Sequence, residues 1–444
     1  MNWQTSVARR GTERRFRRAW PLAAVLVMGV ALTLAACGST TGVGGKPTPP
    51  PRPTATITPS PTPAPCSGWR IVANPNTKYP NSGLYSVSAL SPSVAWAVGS
   101  TFTVGGTTDQ TDSLIERWDG AAWHIVASVN TSHVDLNAIT SISPTDVWAV
   151  GEQSKPGRPF IMHWDGTTWS VVSSPSPTSA WSSWLSDVVA ITAQDVWAFG
   201  GQYASPPDQQ PSQLLVEHWN GASWQIVSSP PLPPSPAPNN GASLRATRIP
   251  GTHQLWAVGE WHAWVSMGRG QPLIERWDGA AWQVVPSPAL PKGALGGGWS
   301  GVVALSATNA WAVGSYAIKN PGDSHPLIAH WDGASWQNVV ANSDTYGALD
   351  SVAAASATDV RAAGSLLTGP GASSGNGQRV PLIEQWNGAT WQTASVPALP
   401  STALFQQGLH ITTDGAANYW TVGSYLNATA NGQYQTLPLI LHCP

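Results

Sequence analysis

A few residues of this 444-residue chain are of types and spacings that could do chemistry. Cys37 closes an apolar run, and Cys66 and Cys443 stand at or near the two ends of the segment 66–444. Trp181 and Trp184 lie in "PTSAWSSWLSD" (177–187), and Trp261 and Trp264 in "GEWHAWVSMGRGQP" (259–272), with His262 and Arg269 beside the second pair. Aromatic faces with a few polar neighbours suit stacking on sugar rings or anchoring a peptide. Packing is the competing use of the same rings. Arg158, Arg269 and Arg379 recur at similar places and could grip a carboxylate, but no Tyr/Glu nucleophile pair stands near them. No His/Cys/Asp cluster has metal-ligand spacing. No Gly-rich phosphate loop and no Gly-x-Ser-x-Gly is present. No cofactor and no metal are expected, and the reading leans away from an enzyme.

Composition narrows the class. Charged residues are only 10%, while Gly (43), Pro (40) and Trp (26) are abundant, which points to a turn-rich β protein from outside the cell. Six arginines and one glutamate fall within residues 1–36, so the remainder carries 15 basic and 22 acidic residues. That balance argues against nucleic acid or an anionic membrane surface as partner.

Residues 1–36 read as an export signal, with a basic stretch from Arg9 to Arg18 and an apolar run from Ala19 to Ala36. Leu34-Ala35-Ala36-Cys37 resembles a bacterial lipobox. The resemblance implies cleavage before Cys37 and a lipid on its sulfur, holding the protein on the extracytoplasmic face of the cell membrane by lipid alone. A plain membrane anchor is the alternative, since about 18 apolar residues can just span a bilayer. Arg14-Arg15-Phe16 leaves Sec and twin-arginine export both open. Residues 37–65 are the lipidated Cys and a Pro/Thr-rich linker with too few apolar side chains to bury a core. In polyproline II such a stretch reaches ~3.1 Å per residue, a spacer of up to ~90 Å.

From residue 66 onward the chain repeats itself. A strand ending in Gly returns seven times: "AWAVG" (95–99), "VWAVG" (147–151), "VWAFG" (196–200), "LWAVG" (255–259), "AWAVG" (310–314), "VRAAG" (360–364) and "YWTVG" (419–423). An alternating stretch precedes each, opening on Leu84, Leu136, Leu185, Leu244, Trp299 or Leu349, always 12 residues before the marker Trp or Arg361. Constant spacing means a fixed hairpin, turned by "SPTDV" (143–147) and its equivalents. Asp146, Asp195 and Asp359 fall in that turn, where capping of the turn explains them. A second hairpin comes next, as in "IERWDGAAWHIV" (115–126), around an Asx-Gly turn. Its two Trp are five apart in six copies. Glu116, Glu217, Glu275 and Glu384 recur on its first arm, and repetition around a ring suggests pairing between units.

Each unit is therefore four antiparallel strands, a to d, and such units at this period form propeller blades. The fold expected for residues 66–444 is an all-β, seven-bladed β-propeller. "LPLILHCP" (437–444) ends after strand c of blade seven. "CSGWRIVANP" (66–75) matches strand d, so the N-terminal strand completes the last blade and closes the ring. Closure brings Cys66 and Cys443 to one hairpin, and an exported protein favours a disulfide there. A closed ring is expected to be a monomer.

The marker strands and the aromatic-Asp-turn-Trp segment "RWDGAAW" (117–123) resemble the kelch repeat of kelch and galactose-oxidase-like propellers, and "VWAFGG" (196–201) keeps both of that family's glycines. The resemblance implies the fold and carries little about function. A copper site would need a Cys cross-linked to Tyr, and all three Cys have other assignments.

The a–b and c–d connections are short and constant, whereas d–a and b–c vary and share one face of the disc. Variable loops on a rigid scaffold are the usual place for binding. The expected function is a surface-anchored lipoprotein that binds a glycan or an exported protein there, through Trp181, Trp184, Trp261, His262, Trp264 and Arg269. An extracellular polysaccharide hydrolase or lyase, and a structural subunit of an envelope complex, are the alternatives.

Overall fold

The computed structural model describes residues 66–444 apart from isolated positions and loop stretches, the longest being 104–109, 204–211, 230–238 and 264–269. Seven sheets, each of four antiparallel strands in the order a-b-c-d, make a seven-bladed β-propeller. Blade one is Asn81–Ser91, Val94–Phe102, Thr111–Trp118 and Trp123–Ile125. In blade seven, strands Ala403–Thr413, Tyr419–Ala428 and Tyr434–Cys443 are completed by Arg70–Ile71. Arg70 pairs with His442 and Ile71 with Leu441. The ring closes through its N-terminal strand, and Cys66 is bonded to Cys443 with Cα atoms 5.4 Å apart.

Local chemistry sets each hairpin. Asp119 Oδ1 accepts from the backbone N–H groups of Ala121 and Ala122 at 2.8 and 2.9 Å, and Gly120 takes the positive φ (101°) that the turn needs. The same turn recurs at Asp165, Asn220, Asp278, Asp332 and Asn387. The marker glycine has a different cause. A Cβ on Gly99 would stand 1.9 Å from the Gly83 carbonyl oxygen, and one on Gly314 2.0 Å from that of Gly298. Strands a and b approach too closely there for any side chain.

Tryptophan fills the wedges between blades. Trp96 of blade one meets Trp164 and Trp169 of blade two, with ring centroids 5.2 and 5.5 Å away. Trp148, Trp197, Trp256, Trp311 and Trp420 repeat this against the next blade. The other side of each strand-b ring is covered from its own strand c, by His163, His218, His330 or His442 at 3.8–4.3 Å or by Arg117 or Arg276. The turn residues Asp146 and Asp195 accept from those histidines at 2.8 and 2.9 Å. Fixing the strand-c partner, more than capping the turn, is what these carboxylates do.

One interface of the seven departs from the pattern. Between blades six and seven, strand b carries Arg361 in place of Trp and strand c carries Cys443. Arg361 is 1% exposed, pairs with Asp359 at 3.2 Å, and lies over Tyr419 and Trp69. The disulfide stands where the other blades have their strand-c Trp.

Candidate functional site

Strand a of blade three, Ser182–Thr192, positions the aromatic residues of the variable face. Trp181 just precedes it, and its N–H donates to the Tyr203 carbonyl at 2.7 Å. Trp184 packs on Tyr203 with centroids 5.2 Å apart. A Cβ on Gly201 would come within 2.5 Å of the Trp184 ring, so the second glycine of "VWAFGG" is the floor on which Trp184 rests. Trp181 is 55% exposed, and among the described residues no other tryptophan is as open. The open Trp181 and the packed Trp184–Tyr203 pair stand at one end of blade three as an aromatic shelf.

Blade four is different. Trp261 is half-buried and packs on the cluster that holds Phe199, Leu244 and Leu273. His262 lies in strand Leu255–Ala263, with its side chain outside the description. Trp264, Arg269 and Cys37 lie outside the described residues. Of the two described arginines, Arg158 is exposed at the start of its strand, while Arg379 donates to Ser365 Oγ at 3.1 Å.

Sequence reasoning missed the centre of the ring. The seven inner strands line an axial cavity of about 580 Å³. At the register opposite the residue before the marker glycine, blades one to seven present Ser86, Ala138, Asp187, Arg245, Gly301, Ser351 and His410. Asp350 occupies a bulge one step away on blade six. Blades one, two, three, five and six carry that bulge, whereas blade four pairs Leu244, Arg245 and Ala246 without it. The missing residue brings Arg245 level with Asp187 and His410.

Several of these groups join neighbouring blades. Ser86 Oγ accepts from Ile139 N–H at 3.2 Å, Asp187 Oδ2 from Ala246 N–H at 2.7 Å, Asp350 Oδ2 from Leu409 N–H at 3.3 Å, and His410 Nδ1 from Val87 N–H at 3.3 Å. Arg245 Nη1 is buried with no hydrogen-bond partner. Desolvation pushes Asp187 up against the pull of Arg245, and pushes Asp350 up to about 6 against the Leu409 hydrogen bond and the pull of Arg379 and Arg245. Desolvation and the Arg245 charge push His410 down to about 4. Asp187, Arg245, Asp350 and His410 all line the axial cavity.

The strand-c glutamates are fully buried. Ser174 and Ser229, each just past strand d of one blade, donate to Glu217 and Glu275 of the next at 2.9 and 3.0 Å. Thr393 donates to Glu384 within its own blade at 2.9 Å. Burial pushes Glu116 up to about 8 and Glu217 and Glu275 up to about 7. Their place is in the blade walls, away from the axial cavity. Among the described residues, no group of three or more His, Cys, Asp or Glu is placed to hold a metal ion.

No protein-family model matches the chain, and no curated protein does. Solved structures that resemble it include YCF48 bound to D1 peptide (16% identity, 85% of this chain and 97% of that one, TM-score 0.48). The Aleuria aurantia lectin with Fucα1-6GlcNAc is another (11%, 69% and 95%, 0.43). The GH74 xyloglucanase from Xanthomonas campestris is a third (15%, 83% and 55%, 0.46). These likenesses concern the propeller fold alone.

Proposed function

We propose that this protein is an exported, lipid-anchored propeller that binds a glycan through its variable face. The observation that carries the reading is the shelf of Trp181, Trp184 and Tyr203. An open indole at the same blade end as a packed Trp–Tyr pair suits stacking on the apolar face of a sugar ring at little entropic cost. Its position agrees with the general rule that variable connections on a rigid scaffold carry recognition. Anchoring rests on the Leu34-Ala35-Ala36-Cys37 segment, which resembles a lipobox.

A glycan array probed with the purified protein, beside Trp181→Ala and Trp181→Ala/Trp184→Ala, tests the binding. Loss of a wild-type signal in folded variants supports it. An array without signal, with a partner protein crosslinked at the same face, would replace the glycan by an exported protein. Incorporation of labelled palmitate that disappears in Cys37→Ser tests the anchor.

A further inference from the structure

We propose that the axial cavity is a second binding site, for one neutral sugar residue or a polyol of that size, held by Asp187, Arg245, Asp350 and His410. It is separate from the aromatic shelf and does not rest on it.

Joining blades does not account for these residues. Ser86 makes the same inter-blade hydrogen bond with a hydroxyl. A serine in blade seven would do as much as His410 without a desolvated imidazole, while Asp187 also accepts from Val188 N–H of its own strand at 2.9 Å. Arg245 has a buried Nη1 that bonds to nothing in the protein. A buried donor without a partner costs about 1–3 kcal/mol, more when charged, so a ligand oxygen there relieves an existing penalty.

The order of the groups selects the ligand. Around the ring come an acceptor on blade three (Asp187), a donor on blade four (Arg245), an acceptor on blade six (Asp350) and a donor on blade seven (His410). The His410 ring is neutral, and Val87 N–H donates to its Nδ1. Its own proton is therefore on Nε2, available to a ligand oxygen. A carboxylate ligand would want the two donors side by side, and an ammonium the two acceptors. Alternation matches hydroxyls, each of which accepts one hydrogen bond and donates another. Ser300 and Ser351 add further hydroxyls to the lining. A cavity of about 580 Å³ lies within the ~300–1,000 Å³ usual for small-molecule sites.

The test is isothermal titration calorimetry of the full protein with glucose, galactose, mannose, fucose and N-acetylglucosamine, each as the free monosaccharide. The expected result is binding of at least one of them, weakened tenfold or more by Arg245→Gln and by Asp350→Asn. Asp350→Asn keeps an acceptor for the Leu409 N–H, so it reports on the site even if Arg245→Gln fails to fold. Absence of binding by all five sugars at millimolar concentration overturns the proposal. So does binding that survives both substitutions. Binding lost on Trp181→Ala but not on Asp350→Asn would place the sugar on the shelf, which overturns the axial site and leaves the variable-face reading standing.

Discussion

The Arg361 guanidinium lies 4.2 Å from the centroid of the Tyr419 ring, at the one blade interface where the strand-b tryptophan is absent. A charge this deep is tolerable only with partners, here Asp359 and two aromatic faces. Arg361→Ala removes the ion pair and the ring contacts together and leaves a void. The expected loss is about 3–5 kcal/mol, typical of breaking a buried pair, read from the denaturant midpoint.

The same interface holds the covalent closure. Cys66–Cys443 spans 377 residues, and the chain-entropy model gives roughly 5–6 kcal/mol for such a loop, as an upper limit. Unfolding in urea with and without reductant is expected to show a lower midpoint in the reduced protein. Identical midpoints would mean that the ring is held by non-covalent contacts alone.

Trp96 and Trp181 should separate cleanly. Trp96 is fully buried among rings of the next blade, so Trp96→Ala is expected to cost about 3–5 kcal/mol. Trp181 is more than half exposed, and its replacement by Ala is expected to change stability by no more than about 0.5 kcal/mol. Comparable losses at both sites would make Trp181 a packing residue and remove the basis of the shelf.

Stability should fall at alkaline pH. Glu116, Glu217 and Glu275 hold their protons more tightly folded than unfolded, with values of about 7 to 8. Their contribution is present below the ordinary carboxylate range and is lost as pH rises through the folded values. His410 and His442, both pushed down to about 4, act the other way. Their contribution is present above the ordinary histidine value, about 6.5, and is lost as pH falls toward 4. Between about pH 6.5 and 8 the glutamates lose this contribution, so Tm is expected to decline there. Glu116→Gln should flatten that decline, and an unchanged slope would assign it elsewhere.

Gly314→Ala tests the marker glycine. Its Cβ would meet a backbone oxygen at 2.0 Å, and no rotamer change relieves a clash with backbone. Loss of several kcal/mol, or failure to fold, is expected. An unaffected Tm would show that strand a can yield.

The fold was legible because propeller geometry is periodic. The marker strand, the Asx-Gly turn and the constant spacing to Leu84 and its equivalents each repeat a backbone requirement, so blade number, strand order and ring closure can be read from the sequence. The disulfide followed from closure. The axial groups were not legible, for a specific reason. Counted from Leu185 and Leu244, Asp187 and Arg245 stand at different offsets, and only the bulge present in blade three and absent from blade four makes them level. A charged residue within an otherwise small or aliphatic inner strand was the available signal. The turn position of Asp146 and Asp195 suggests capping, and their histidine partners, 17 and 23 residues away, leave no local signal in the sequence.

The position of the disulfide has a mechanical consequence. Tension applied to the chain before Cys66 would otherwise act on a strand of only two paired residues, Arg70–Ile71, which would unzip one hydrogen bond at a time. Cys66 comes first in the line of force and passes it directly to Cys443, at the end of a strand that pairs with its neighbour over ten residues, from Tyr434 to Cys443. A pull from the N-terminal side is thus delivered to blade seven as a whole. The closing strand itself stays slack, and the ring can be tugged without being opened.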